Sequence, residues 1–199
     1  MLVIGLTGGI GSGKSEALGA FERLGAATLS SDAVVHDLLG TDEVRRMLVE
    51  RWGEAVLSGS EVDRDAVAQI VFNQPDELRW LEQSIFPRVG ERIAAWRTAL
   101  ERDAAARVAV VEVPLLFEAG IEGAFDATAA VLADESLRAS RAAERGHEAV
   151  EGRAGRQLSQ EEKAARADHV IRNDGSLEDL ERAVGELLRQ LEQEAAVGP

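Results

Sequence analysis

Eight residues near the start of the chain, Gly8-Gly9-Ile10-Gly11-Ser12-Gly13-Lys14-Ser15, have the spacing G-x-x-x-x-G-K-[ST]. Glycines let a main chain curl so that successive N–H groups point inward, where they and the positive end of a following helix can hold phosphate oxygens. Lys14 would add a mobile positive charge over β- and γ-phosphates, and the Ser15 hydroxyl would be a ligand for Mg²⁺. Asp32 is the next candidate. It could accept the proton of an attacking hydroxyl in phosphoryl transfer, or it could cap a helix, and the sequence leaves both open. Glu112 interrupts an apolar run, either as a contact behind a metal ion or through a place near a strand's open end. Between residues 134 and 166 stand seven basic groups (Arg138, Arg141, Arg145, Arg153, Arg156, Lys163 and Arg166) against seven acids. That local neutrality suits a lid over phosphates. Arg138, Arg141 and Arg145 share one helix face by spacing, where they serve either an anion or pairing with Glu144 and Glu148. His36, His147 and His169 share no metal-ligand spacing and read as surface or structural residues.

These groups need elements to place them. Leu2-Val3-Ile4-Gly5-Leu6 reads as a buried strand before the glycine loop, and Ala17, Leu18, Phe21 and Leu24 recur at helical spacing after it, up to Gly25. Ala26 to Leu29 predicts a second strand, leading through Ser30-Ser31 to Asp32 as the cap of a helix with Val34, Val35, Leu38 and Leu39 inside, ending at Gly40. Thr41 starts the next helix, buried through Val44, Met47, Leu48 and Trp52 and stopped by Gly53. Leu57-Ser58-Gly59-Ser60 reads as a turn, and Asp63 as the cap of a helix buried through Val67, Ile70 and Val71. Pro75 fits the first position of a long stripe running from Leu78 to Leu100, which Pro87 should kink or break. Residues 32 to 105 are therefore expected to be wholly helical, an insertion between strands.

Arg107 to Val113 and Ala127 to Ala133 predict a third and a fourth strand, and a helical pattern follows from Asp134 to about Arg145. Ser159-Gln160-Glu161-Glu162 fits a capping box, His169 to Arg172 a fifth strand, and the last helix, from Ser176, shows Leu177, Leu180, Val184, Leu187, Leu188 and Leu191 on one face. Five apolar strands alternating with helices predict an α/β fold: a parallel five-stranded sheet with helices on both faces, binding its ligands at the carboxyl ends of the strands.

The composition excludes several classes. A net charge of −14 repels polyanions, which argues against a nucleic-acid partner or an anionic membrane surface, so phosphate must be held by a local basic site. With no cysteine, disulfides and thiolate metal sites are ruled out and a reducing, cytoplasmic location is permitted. The first residues lack a basic stretch before their apolar run, so neither a signal peptide nor a membrane span is expected.

Taken together, the residues resemble the dephospho-CoA kinase family, P-loop kinases that phosphorylate the 3′-hydroxyl of dephospho-coenzyme A with ATP and Mg²⁺. The resemblance runs over nearly the whole chain. It rests on Ile4 to Ser15, Asp32, Asp63-Arg64 before Val71-Phe72, Pro114-Leu115-Leu116-Phe117-Glu118, Gln157 ahead of Lys163, and Ala167 to Asn173. It implies a nucleotide-kinase-like core (1–31, 106–133 and 167–199), a helical substrate-binding insertion (32–105) and a lid (134–166), together one kinase domain acting as a monomer or small homo-oligomer. Motif and resemblance together give Lys14, Asp32, Arg138 and Arg141 catalytic roles. They assign ATP to Gly9, Ile10, Gly11, Ser12, Gly13, Lys14, Ser15, Glu16 and Asn173. They assign the acceptor to Asp32, Arg64, Pro114, Leu115, Leu116 and Glu118, and Mg²⁺ to Ser15. The chain departs from the family at Ser30-Ser31-Asp32, where Asp-Ala-Asp is usual, at Glu16 in place of Thr, near His36 in place of Arg, and at Phe86-Pro87 in place of His-Pro.

Two other functions share the phosphate loop. A GTPase-type switch is suggested by Asp37-Leu38-Leu39-Gly40 and Asn73-Gln74-Pro75-Asp76, although the first lies in a helical pattern and the second lacks the lysine of N-K-x-D. A nucleoside monophosphate kinase would differ only in its acceptor pocket.

Overall fold

The computed structural model describes residues 1–102, 106–144 and 157–197. Five strands form one parallel sheet: β1 (Leu2–Gly8), β2 (Ala27–Ser30), β5 (Val108–Glu112), β6 (Ala127–Leu132) and β7 (His169–Arg172), in the order β2-β5-β1-β6-β7. The three middle strands are buried almost throughout, which explains why they read as continuous apolar runs rather than alternating ones. Asp168 ties the β7 edge to β6, its Oδ2 accepting from both the Thr128 N–H and the Thr128 hydroxyl at 2.8 Å.

Alternate residues of the middle strands face opposite ways. Ile4, Leu6, Val110, Ala129 and Val131 meet α1 (Lys14–Arg23) through Ala17, Ala20 and Phe21. They also meet the last helix, Leu177–Val197, through Leu180, Val184, Leu187, Leu188 and Leu191. Thr7, of opposite parity to Leu6 on β1, points to the other face. There it lies 3.4 Å from Lys163 of the short helix Gln160–Arg166, whose predicted capping box is formed by Ser159 and Glu162. Helices thus cover both faces.

The chain divides into two units: Met1–Ser30 with Ala99–Pro199, which holds this sheet, and Ser31–Thr98. The second contains α2 (Ser31–Leu39), α3 (Asp42–Trp52), α4 (Arg64–Asn73) and all but the end of α5 (Pro75–Glu101). Thr41 and Asp63 cap α3 and α4 as expected, the Thr41 hydroxyl accepting from Val44 and the Asp63 carboxylate from Asp65 and Ala66. Glu77 of α5 accepts from both Arg51 and the Trp52 indole of α3, and Trp80 packs edge-on to Trp52 at 5.1 Å.

Four expectations are corrected. The 32–105 stretch is not wholly helical, because Leu57–Ser58 (β3) and Glu61–Val62 (β4) pair as a small antiparallel hairpin around the predicted turn. Pro87 does not break α5; Gln83 and Pro87 are both exposed, so the carbonyl deprived of its donor faces water. Asp32 is not a cap, since α2 begins at Ser31 and Asp32 is its second residue. Leu24 and Leu177, counted with buried faces, are 42% and 63% exposed; one follows and the other begins its helix, where packing against the sheet has ended or not yet started.

Candidate active site

The phosphate loop leaves the carboxyl end of β1, the central strand, where the chain's crossovers part. The one after β1 leads toward β2 and the one after β6 leads toward β7, which marks the crevice where such sheets bind ligands. The helix α1 starts at Lys14 behind Gly13, whose φ of 86° is left-handed and which offers no capping side chain. The start of α1 therefore carries no side-chain cap, and its positive end faces the place where an anion would bind.

Two neighbours set the loop's shape. Asn173, buried behind β7, donates from Nδ2 to the Ser12 carbonyl at 2.9 Å, and its own N–H donates to the Leu132 carbonyl at 2.8 Å. A β-carbon on Gly13 would overlap Asn173 Nδ2, so glycine is required there for space as well as for its positive φ. On the other side α6 (Glu135–Glu144) brings Arg138, whose Nε donates to the Ile10 carbonyl at 3.0 Å while Nη1 pairs with Glu135 at 2.6 Å. Arg141, one turn on, lies 3.4 Å from the Asn173 carbonyl. Lys14 Nζ donates to the Gly9 carbonyl at 2.9 Å, so the ammonium is held over the start of the loop.

The structure thus gathers Gly9 to Ser15, Arg138, Arg141 and Asn173 in one place. A cleft of about 260 Å³ opens beside them, lined by Gly11, Gly13, Glu16, Arg141, Asn173, Gly175 and Leu177. Glu16 stands in the first turn of α1 at this cleft. Ser15 is exposed on the same turn. Arg145, Arg153 and Arg156 lie outside the described residues.

Pro114, Leu115, Leu116 and Glu118 follow the carboxyl end of β5 in the same unit. Leu116 is fully buried. Glu118 is tied inward: its Oε1 pairs with Lys163 at 2.9 Å and accepts from the Leu158 N–H at 2.8 Å, while its buried Oε2 has no partner among the described residues. Burial pushes the Lys163 ammonium below the ordinary lysine range, and Glu118 pulls it partly back. Glu112, the last residue of β5, is buried beside Leu6 and Ser30.

Asp32 and Arg64 belong to the helical unit. Asp32 is exposed, and its carboxylate has no hydrogen-bond or ion-pair partner among the described residues. His36 lies one turn along α2 from it, with Nδ1 3.1 Å from Arg64 Nη1. An acid, an imidazole and a guanidinium are therefore neighbours on that unit. Asp37-Leu38-Leu39-Gly40 spans the end of α2 with Leu38 buried, and Asn73 to Asp76 joins α4 to α5; neither is a nucleotide-reading loop.

The sequence reading counted Lys163 among the basic groups of a lid over phosphates, whereas the structure buries it against Glu118, and it missed Leu177 as a residue lining the cleft. Lys163 follows two glutamates, a pattern that reads as a solvated face, and Leu177 extends a buried stripe by one more member.

A sequence model of the dephospho-CoA kinase family matches residues 2–179. A curated relative from Brucella melitensis named dephospho-CoA kinase is 34% identical over 194 residues, 96% of each chain. A crystal structure from Thermus thermophilus superposes with a TM-score of 0.81 at 37% identity, covering 96% of this chain and 97% of that one. A dephospho-CoA kinase structure from Campylobacter jejuni shares the fold, with a TM-score of 0.71 at 24% identity, covering 97% of this chain and 98% of that one. With a family match over most of its length and full-length relatives at this identity, the chain belongs to the dephospho-CoA kinase family.

Proposed function

We propose that this protein transfers the γ-phosphoryl group of ATP to the 3′-hydroxyl of dephospho-coenzyme A, giving ADP and coenzyme A, the last step of coenzyme A biosynthesis. The observation that carries the reading is the phosphate loop at an uncapped helix start, braced by Asn173 on one side and Arg138 on the other. The N–H groups of Gly11 to Ser15 hold the β- and γ-phosphates. Lys14 exchanges the Gly9 carbonyl for a phosphate oxygen, and Arg138 and Arg141 offset the charge that spreads over the transferring group. Asp32 takes the proton of the 3′-hydroxyl as the new O–P bond forms and the bond to the ADP oxygen breaks. Pro114 to Glu118 and Arg64 hold the acceptor.

Mg²⁺ would be held by the exposed Ser15 hydroxyl, water and the nucleotide's own phosphates, where it would neutralise phosphate charge.

The test is transfer from ATP to dephospho-CoA, AMP, CMP and shikimate in parallel. Phosphorylation of dephospho-CoA is expected. Transfer to a nucleoside monophosphate with none to dephospho-CoA would overturn the reading. Lys14→Ala should cut turnover at least about a hundredfold without unfolding the protein, which a melting curve checks.

A further inference from the structure

Lys163 has 0% exposed surface, yet it carries an ammonium. Its Nζ pairs with Glu118 Oε1 at 2.9 Å, donates to the Pro114 carbonyl, and lies 3.4 Å from Thr7 Oγ1. The Thr7 hydroxyl donates to the same Pro114 carbonyl at 3.3 Å. One buried cation therefore gathers the residue just before the phosphate loop and both ends of the Pro114–Glu118 loop. Gln160, one turn earlier, fixes the same helix by bonding the Ala133 N–H and carbonyl at 3.2 and 3.0 Å, so the helix is anchored without Lys163. A charged group is a costly choice for mere anchorage where an apolar side chain of similar volume serves as well. The ammonium joins three oxygens, one on β1 and two on the Pro114–Glu118 loop.

We propose that Lys163 is a positioning residue that sets the place of the Pro114–Glu118 loop relative to the phosphate loop, and so governs affinity for the acceptor substrate rather than for ATP. This rests on the reading of that loop as part of the dephospho-CoA pocket. Full burial keeps Lys163 from touching substrate itself. The phosphate loop has supports of its own in Asn173 and Arg138, whereas among the described residues the polar side chains bonded to the Pro114–Glu118 loop are Lys163 and Thr7, beside its buried Leu116 and Phe117. Displacing a binding loop by about 1 Å is enough to change its function by one to two orders of magnitude.

The experiment measures KM for dephospho-CoA and for ATP separately, with Tm alongside, in Lys163→Met, in Glu118→Gln, and in the double variant. Lys163→Met is expected to raise KM for dephospho-CoA at least about tenfold with KM for ATP within about twofold. If that variant does not fold, because Glu118 is left as an unpaired buried charge, the double variant removes both charges and decides the matter. Its KM for dephospho-CoA should lie about tenfold above that of Glu118→Gln, which keeps the ammonium on Pro114. A KM for dephospho-CoA that Lys163 does not affect, or KM values for both substrates that rise together, would overturn the proposal. A wild-type chain that does not phosphorylate dephospho-CoA would overturn the functional reading with it.

Discussion

Asp32 is exposed in the first turn of α2 with no partner among the described residues. A side chain so placed contributes to stability mainly through the helix dipole, about 0.3 to 1 kcal/mol. Asp32→Asn keeps its size and its hydrogen bonding but cannot take a proton at neutral pH. The variant should therefore melt within about 4 °C of the wild type and lose at least about a hundredfold in kcat if the carboxylate is the base. A stable variant with near-normal kcat would sink that role. The sequence left base and cap side by side because both need an acid at the start of a helix. The structure removes the cap by beginning α2 one residue earlier. Lys163 shows the opposite kind of illegibility, since burial of a lysine is decided by partners such as Glu118, which lies 45 residues away, and no local pattern registers them.

At the scale of elements, the strands and caps were legible because each is written in a local period: apolar runs bounded by glycine, and Thr41, Asp63 and Ser159 standing just before helical stripes. Pairing order and the β3–β4 hairpin were not, because two-residue strands carry no period. The stretch from 134 to 166, read as one lid, has two different attachments among its described parts. In the helix Gln160–Arg166, Gln160 and Lys163 are buried and bonded to main-chain carbonyls of the core. In α6 no described side chain is fully buried, and the ties are Arg138 and Arg141 to the phosphate loop and Asn173. Local opening follows the number of such buried contacts. Amide exchange should consequently be slow at 160–166 with or without nucleotide, while 135–144 exchanges faster and slows when a non-hydrolysable ATP analogue engages its arginines. Equal protection of both helices in the ligand-free chain would contradict this division.

For the whole molecule the governing quantity is the imbalance of 36 acidic against 22 basic side chains. Self-repulsion at pH 7 opposes the compact state, and it weakens as acid neutralises carboxylates. Four carboxylates pull the other way, Glu77, Glu161, Asp168 and Asp179, each held below its ordinary range. The Thr128 hydroxyl and N–H hold Asp168 below the ordinary carboxylate range, and Ser176 and Arg182 bring Asp179 down to about 2. A group whose pKa is lower folded than unfolded adds stability above its unfolded value, and that stability disappears as pH falls through the folded one. With an unfolded Asp near 3.9, the contribution is intact from neutrality down to about pH 5 and is lost progressively below about 4, as pH falls through the folded values. Tm should therefore hold level or rise slightly from pH 8 to about 5 and then drop. Asp168→Asn isolates the second effect: it should lower Tm at pH 7, where the wild type keeps a charged acceptor for Thr128. Its melting curve should converge with the wild type's as pH falls through the lowered folded value of Asp168, below which both side chains are neutral. A Tm difference that stays constant down to about pH 2.5 would show that the Asp168 charge contributes nothing to the β6–β7 edge.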